Sequence, residues 1–511
     1  MRRVSLILCL AGVALGAQAS AAFATQYFVN GTTGADTNTC LQPTVGSTSL
    51  GPCKTIGQAL TLGQSNPGPD EVLVADGTYA ETLTVGDGTL LRSLDTTDPK
   101  PVINNSSLPD DNAVTIPSTG GSVDRFEIRS GFRPLSVAGP ASVTNNSFPT
   151  TAAITSNQDV FLTAVTGSVL IAGNGFSDDG SGTQQGIFSN ATSATNLTIQ
   201  NNDFSGLNIG IWLQDGNSSP LIAGNEITGV HGGGWGVLVY EGSPEIRNNT
   251  IDAPGTPTHT GIALADINGP TGATLSRNTI SGLSSGVAVT DTSLSVRLNS
   301  DLITDSAGFG LDASEGDPGT GDVIATNVTI YDNANPADIR LDDNALTLDS
   351  SIVGNAILDA GTTTTCAITF SRGPTLIGPA SGCGSFQTLA DPMFIGGGNY
   401  HLMGSSPMID AGETLAPPPG TLDLDGNPRA LSGTPACTLM AGRRDIGADE
   451  FVPATGVGCP QPPQNPVVPL TPTPTSTPAT TPVQAKRKCK KKKKKKRRGA
   501  AAAKKRCKKK R

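Results

Sequence analysis

Aromatic residues make up 4% of this 511-residue chain and histidine occurs three times, so neither a large aromatic core nor a histidine-built metal centre is available to it. C-terminal of Asp70 no long run carries the apolar periodicity of a helix, which excludes an ordinary globular α/β enzyme. No cysteine pair has the C-x-x-C spacing of a zinc site. The longest apolar stretch, Val4 to Ala17, is too short to cross a bilayer. It follows Met1-Arg2-Arg3 and runs into the small residues ending Ala22-Phe23-Ala24, the pattern of a secretory signal peptide over 1–24. What the chain has in quantity is 62 Gly and 37 Pro, the composition of short strands joined by many turns.

The formal net charge of −8 hides two opposite pieces. Residues 486–511 hold 19 of the 35 Lys and Arg and no acid, whereas residues 25–485 carry 14 basic against 43 acidic groups, a net −29. A body this acidic repels nucleic acid and attracts cations. The tail binds polyanions in a salt-dependent way, and export points to a wall polymer, an acidic glycan or an anionic membrane surface as its partner. Between body and tail, residues 460–485 contain nine prolines and form an extended linker.

Six of the eight cysteines outside the signal peptide fall into close pairs, Cys40 with Cys53, Cys366 with Cys383, and Cys437 with Cys459. In an oxidising compartment disulfides are expected, and proximity favours these three, with other connectivities left open.

The central sequence repeats. Gly210, Gly236, Gly261, Gly286 and Gly310 each open a short apolar strand, at spacings of 26, 25, 25 and 24. A second signature alternates with them: Asn146, Asn174, Asn202, Asn225, Asn249 and Asn278, each two positions before Phe or Ile, at spacings of 28, 28, 23, 24 and 29. A nearly fixed period of this size means a solenoid whose coils stack and share one core, with an Asn turn and a Gly turn in every coil. Asn suits the first because it tolerates left-handed backbone and its amide can bond the next coil. About fifteen coils at ~4.8 Å each would form a rod roughly 70 Å long. The divisions expected are an N-terminal cap and first coils over 25–105, including a helix from Lys54 to Leu62; repeats over 106–390; and a C-terminal cap over 391–459.

These Asn-x-Ile and Gly-Ile-x-Leu repeats resemble the right-handed parallel β-helix proteins of the pectin-lyase-like superfamily. Asp423-Leu-Asp-Gly-Asn-Pro-Arg429 and Asp445-Ile-Gly-Ala-Asp-Glu-Phe451 are similar to the choice-of-anchor segment that precedes surface-attachment tails. The resemblance implies an all-β, right-handed parallel β-helix and an exported protein. It implies no reaction. The Gly-His-Gly motif of polygalacturonases, the arginine motif of pectate lyases and the Asp-Pro-His-Asp motif of epimerases are missing, and of the polygalacturonase aspartate pair only stray Asp-Asp pairs occur, at 110/111, 178/179 and 342/343 in expected loops.

Five acids, Asp215, Glu241, Asp266, Asp291 and Glu315, follow the five glycines by five positions each and would form a column along the rod. Acids ~4.8 Å apart repel by about 1 kcal/mol per pair even in water, so the column is a candidate calcium site, unless the acids merely end strands at polar turns. Strand alternation sends Ile211, Leu213, Val237 and Val239 inward and Trp212, Gln214, Leu238 and Tyr240 outward. Trp212 and Tyr240 are then candidate glycan-stacking residues, and Asp215, His231, Tyr240 and Glu241 candidate acid/base groups, with His259 near the same face. Asp423-x-Asp425-Gly-Asn427 lacks the later ligands of a calcium loop and reads as a turn. The sequence therefore supports a secreted, surface-retained, monomeric rod that adheres to or binds glycans, tethered by its tail. The alternatives are a lyase, hydrolase or epimerase acting on an acidic polysaccharide, and a spacer with no ligand.

Overall fold

The computed structural model describes residues 24–452, apart from 45–48, 67, 69, 108–110, 150–157, 179–183, 191–193, 215–218, 254–258, 291, 316–320, 335–336, 362–364, 374, 378–385, 388–389, 415–420 and 430–442. Three long parallel sheets of 14, 12 and 13 strands run side by side, and each coil contributes one strand to each in turn, the geometry of a parallel β-helix. The coil from Leu221 illustrates the order. Leu221–Ala223 lies in the first sheet, a turn holds Asn225, Glu226–Thr228 lies in the second, a loop holds His231, and Trp235–Tyr240 lies in the third. The fourteen strands of the first sheet compare with the fifteen coils expected.

The asparagine turn is the most regular feature. Asn145, Gly173, Asn201, Gly224, Asn248 and Arg277 have φ between 53° and 68°, and each left-handed residue precedes a buried Asn. Nδ2 of Asn225 donates to Ile199 O (3.1 Å) and to Asn249 Oδ1 (2.9 Å), while its own Oδ1 accepts the N–H (3.0 Å) and Nδ2 (2.9 Å) of Asn202. The same four-bond pattern recurs at Asn174, Asn202, Asn249 and Asn278, while at Asn146, the first of the ladder, Oδ1 takes the Phe126 N–H alone; every polar atom of these buried amides is satisfied. Two positions on, Phe148, Phe176 and Phe204 stack inside at 4.9 and 4.6 Å, followed by Ile227, Ile251 and Ile280.

The repeated glycine is required by space. Gly236 and Gly261 have ordinary φ, but a Cβ on Gly236 would lie 2.7 Å from the next coil's Gly261 carbonyl oxygen and 2.7 Å from Ile251 Cγ2. At Gly261 both contacts are 2.6 Å, with Gly286 O and Ile280 Cγ2. A side chain would have to displace backbone there.

At the N-terminus the helix Ile56–Gln64 packs Ile56, Ala59, Leu60 and Gly63 onto the first coil. Thr55 caps it, and the Glu81 carboxylate takes the N–H groups of Ile56 (2.9 Å) and Gly57 (2.8 Å), two donors the helix cannot satisfy itself. The chain on either side of Asp76-Gly77 forms one coil, with Asp70–Val74, Thr78–Tyr79 and Leu83–Thr84 in three different sheets. Cys40 and Cys53 are disulfide-bonded. Cys366 is disulfide-bonded as well, and Cys383, Cys437 and Cys459 lie outside the described residues.

The asparagine ladder ends at Asp301, whose Oδ1 accepts both the N–H and Nδ2 of Asn278 at 2.8 Å and whose Oδ2 accepts Asn299 N–H at 3.0 Å. Asp301 has no amide NH2 to pass on to the coil after it, and Val328, Ser351 and Ser371 occupy the next positions. At these coils the C-terminal segment docks. Ser300, Asn327 and Ser350, again left-handed at φ 60°, 54° and 49°, bond it through Leu422 O, Asp445 O and the N–H of Glu413. Its hairpin, Phe394–Gly396 and Asn399–Leu402, packs with Met408 and Ile446 on Ile352, forming a second small core. The described part of this segment thus lies along the flank of the later coils. A buried polar set holds it there. Arg429 bonds Ala448 O (2.5 Å) and Ser300 Oγ (2.8 Å) and pairs with Glu450 (3.6 Å), while Asp423 accepts the N–H groups of Asn427 and Glu450 in the turn expected from sequence.

Two outcomes follow for stability. Asn225→Ala strands buried donors and acceptors on both neighbouring coils and should cost about 3 kcal/mol or more in urea unfolding, whereas Thr250→Ala, exposed on the next coil, should stay within about 0.5 kcal/mol. Burial raises the Asp301 carboxyl from 3.8 to about 7, although its three hydrogen-bond donors oppose the shift. The folded state therefore holds a proton that the unfolded chain has lost between those values, so this contribution is complete below pH 4 and is lost as pH rises through 7. Asp445, raised to about 8 by burial and then by Glu450, acts in the same direction. The melting temperature should fall between pH 5 and pH 9, and Asp301→Asn should flatten the profile; equal slopes in the two proteins would refute the assignment.

Candidate functional site

The outward positions of the third sheet carry the sequence-derived candidates. Register places Phe161, Phe188, Trp212, Leu238, Ala263 and Ala288 in one row across successive coils. Phe161 and Phe188 stack at 5.7 Å, and Trp212 meets Phe188 edge-on at 4.8 Å. The Arg133 guanidinium lies 4.0 Å over Phe161 and 4.5 Å over Phe132, and its Nε donates to Gln158 (2.8 Å). Burial among these rings lowers the Arg133 pKa from its ordinary value. Trp212 is half-buried, and its Nε1–H has no acceptor among the described residues. Tyr240, 37% exposed, stands one coil on and two positions along, diagonal to Trp212.

This row was only half visible in the sequence. The period from Gly210 to Gly310 points to Trp212 and, diagonal to the row, Tyr240, and leaves out Phe188 and Phe161. Gly186-Ile-Phe continues the period one coil before Gly210 and was the available signal, whereas Phe161 follows Asp159-Val160 with no glycine. Leu238, expected to face solvent, is 4% exposed because Trp212 and Ala263 flank it in the same row. The inward assignments hold: Ile211, Leu213, Val237 and Val239 are buried.

The acid column is not continuous. Glu241 stacks on Asp266, each left-handed at φ 66° and 52°, and each donates its N–H to the coil after it. Glu315 instead pairs with Thr290 across a register irregularity, which puts its backbone in the row of Tyr240 and Ala265, one position short of the column. Asp215 and Asp291 lie outside the described residues. Among the described residues, the column contributes no group of three side chains that could hold a metal ion.

The acid/base candidates do not converge. His231 lies in the loop before Trp235–Tyr240, and Tyr240 and Glu241 come at its far end, about 17–20 Å away at ~3.3 Å per residue. The coil order puts every such loop at one corner and every acid turn at the other. His231 Nε2 is 3.5 Å from Asp178 Oδ2, an ion-pair distance only if the imidazole is protonated, and too long for a firm hydrogen bond. His259 is 1% exposed and accepts Gly233 N–H at Nδ1 (3.1 Å). Burial first and His231 second lower its pKa, so it is a neutral structural acceptor at its corner.

The family model described as right handed beta helix region matches residues 138–301 and 224–375, and the chain is a right-handed parallel β-helix. No curated protein matches it. Among solved structures it is similar to pectate lyase Pel9A, at 13% identity over 83% of this chain and 96% of that one with a TM-score of 0.31. It is also similar to XylC in complex with xylose, at 11% identity over 69% and 75% with a TM-score of 0.32. A third similarity is to the catalytic domain of a GH87 alpha-1,3-glucanase bound to nigerose, at 13% identity over 69% of each chain with a TM-score of 0.31.

If His231 and Glu241 act at separate corners, His231→Ala and Glu241→Gln should have additive effects on unfolding free energy, within about 0.5 kcal/mol in a double-mutant cycle. A coupling of about 1 kcal/mol or more would place them in one cluster.

Proposed function

We propose that this chain is an exported β-helix rod that binds a polysaccharide on the outer face of its third sheet without cleaving it. Its Lys/Arg tail would hold it at the cell surface. The observation that carries the reading is the pair of Phe188 and Trp212 on adjacent coils with Tyr240 diagonal to them, braced by Phe161, which is 9% exposed beneath the Arg133 guanidinium. Sugar rings present flat C–H faces that stack on aromatic rings. Arg133 and the linked amides of Gln158 and Gln185 (3.4 Å) supply polar contacts beside the rings. Rings fixed by packing lose little entropy on binding, which suits an extended ligand lying along the rod.

The separation of His231 from Glu241 favours binding over turnover, since a general acid and base must both reach the bond being broken. The tether rests on the sequence: a tail with 19 basic residues, set off by a proline-rich linker from a body of net charge −29.

The test is a panel of neutral and acidic polysaccharides offered to the purified full chain, with retention and new chain ends read together. The expected result is retention of at least one polysaccharide without cleavage, weakened tenfold or more by Trp212→Ala and by Tyr240→Ala, with melting temperatures close to the parent. Cleavage of a glycan would move the assignment to an enzyme. Retention indifferent to both substitutions would remove this face from the account.

A further inference from the structure

Where the C-terminal segment crosses the second sheet, a cleft of about 450 Å³ opens between them. Asn249, Thr250, Arg277 and Thr279 line it from the solenoid. From the docked segment come His401, in the strand Asn399–Leu402; Asp425, in the turn after Leu424; and Asp449, near the end of the described chain. One ligand atom from each of these three lies within 4.8 Å of the other two.

Two observations set this cluster apart from a surface patch of acids. Asn399 Oδ1 accepts the main-chain N–H of His401 at 3.0 Å, which identifies it as an oxygen, and the same atom lies 2.5 Å from His401 Nδ1. Nδ1 must therefore carry the hydrogen, and in the neutral ring Nε2 presents a lone pair. In the neutral ring that lone pair would face Asp425 Oδ2 at 2.6 Å, so the contact calls for a positive charge between the two, a proton on Nε2 or a metal ion. Asp449 is 8% exposed. One of its oxygens takes Leu402 N–H at 2.9 Å, and the other has no hydrogen-bond partner among the described residues. That second oxygen opens to the cleft, where a cation can reach it.

We propose that His401, Asp425 and Asp449 hold a divalent transition-metal ion of the zinc class. One imidazole and two carboxylates form a nitrogen–oxygen set suited to such an ion, whereas calcium takes oxygen alone. Bonds of about 2.0–2.2 Å in a tetrahedron place ligand atoms about 3.4 Å apart. His401 and Asp425 would open from 2.6 Å, an easy shift for side chains 41% and 46% exposed, while Asp449 is already fixed by Leu402. The Nδ1–H bond to Asn399 is the outer-shell contact that orients a metal-binding histidine and leaves Nε2 free for the ion. Three protein ligands leave a fourth position facing the cleft. The ion would join the hairpin, the Asp423–Asn427 turn and the terminal stretch, three pieces of the docked segment that are far apart in sequence. The cleft lies over the second sheet and the aromatic row on the third, so this inference stands independently of the glycan reading.

The test uses the untagged full chain, stripped with chelator and titrated with ZnCl₂ at pH 7.5 by calorimetry, with melting temperature followed in parallel. The expected result is one site with a Kd in the micromolar range or tighter and a higher melting temperature on loading. His401→Gln and Asp425→Asn should each weaken that site at least tenfold while melting near the wild-type apoprotein, and Cys489→Ser/Cys507→Ser should leave it intact. No zinc uptake would show that only a proton sits between His401 and Asp425. Uptake unchanged in His401→Gln and Asp425→Asn would place the ion elsewhere. Either result overturns the proposal.

Discussion

The buried asparagine ladder is the constraint on which the other regularities rest. Each ladder amide is saturated only if the coil before supplies two donors and the coil after supplies an oxygen, as at Asn202, Asn225 and Asn249. A coil shifted by a single position would bury an unpaired amide, at a cost no surface contact could recover. The ladder therefore fixes where each coil starts. Register then carries round to the second-sheet Ile stack and on to the glycine corner, where Ile251 and Ile280 fill the space a Cβ would need. Loop lengths between fixed corners can vary, and the uneven spacing of the ladder asparagines, from Asn146 to Asn278, shows that they do.

The same logic explains why the C-terminal segment docks where it does. A carboxylate at Asp301 terminates the relay, because it accepts from Asn278 but has no N–H to offer onward. Beyond it the left-handed corner persists at Ser300, Asn327 and Ser350, and these side chains turn to the docked segment. The change from a self-satisfied corner to one that needs an outside partner takes one substitution in the ladder.

Much of this was legible in the sequence because a solenoid converts spatial neighbours into a linear period. The asparagine turns, the glycine corners and the inward Ile, Leu and Val could be read from spacing alone. What the period could not show was anything that breaks it or lies outside it. The bulge that moves Glu315 out of the acid column adds a residue where the spacing still looks regular. The burial of Leu238 depends on the size of Trp212 beside it, a cross-coil property of side chains. His231 and Glu241 share a coil and so seemed close, yet the whole strand Trp235–Tyr240 stands between their corners. His401, Asp425 and Asp449 have no spacing signature because a non-repeating segment folds back to bring them together.

The two acidic features of this molecule show why charge by itself does not define a site. Glu241 and Asp266 repeat in register at a left-handed corner, but Asp266 is exposed and Glu241 half-buried, so water can answer charges that repel by about 1 kcal/mol. An acidic side chain at a solvated turn needs no ligand. Asp449 is different in kind. It is nine-tenths buried, one oxygen is unanswered, and beside it an imidazole whose hydrogen is committed to Asn399 points its lone pair at a second carboxylate. Asp449 is buried, whereas His401 and Asp425 reach the open cleft, and the three side chains meet there. The 2.6 Å contact between Nε2 and Asp425 calls for a positive charge between them, and the chemistry of the cleft turns on whether that charge is a proton or a metal ion.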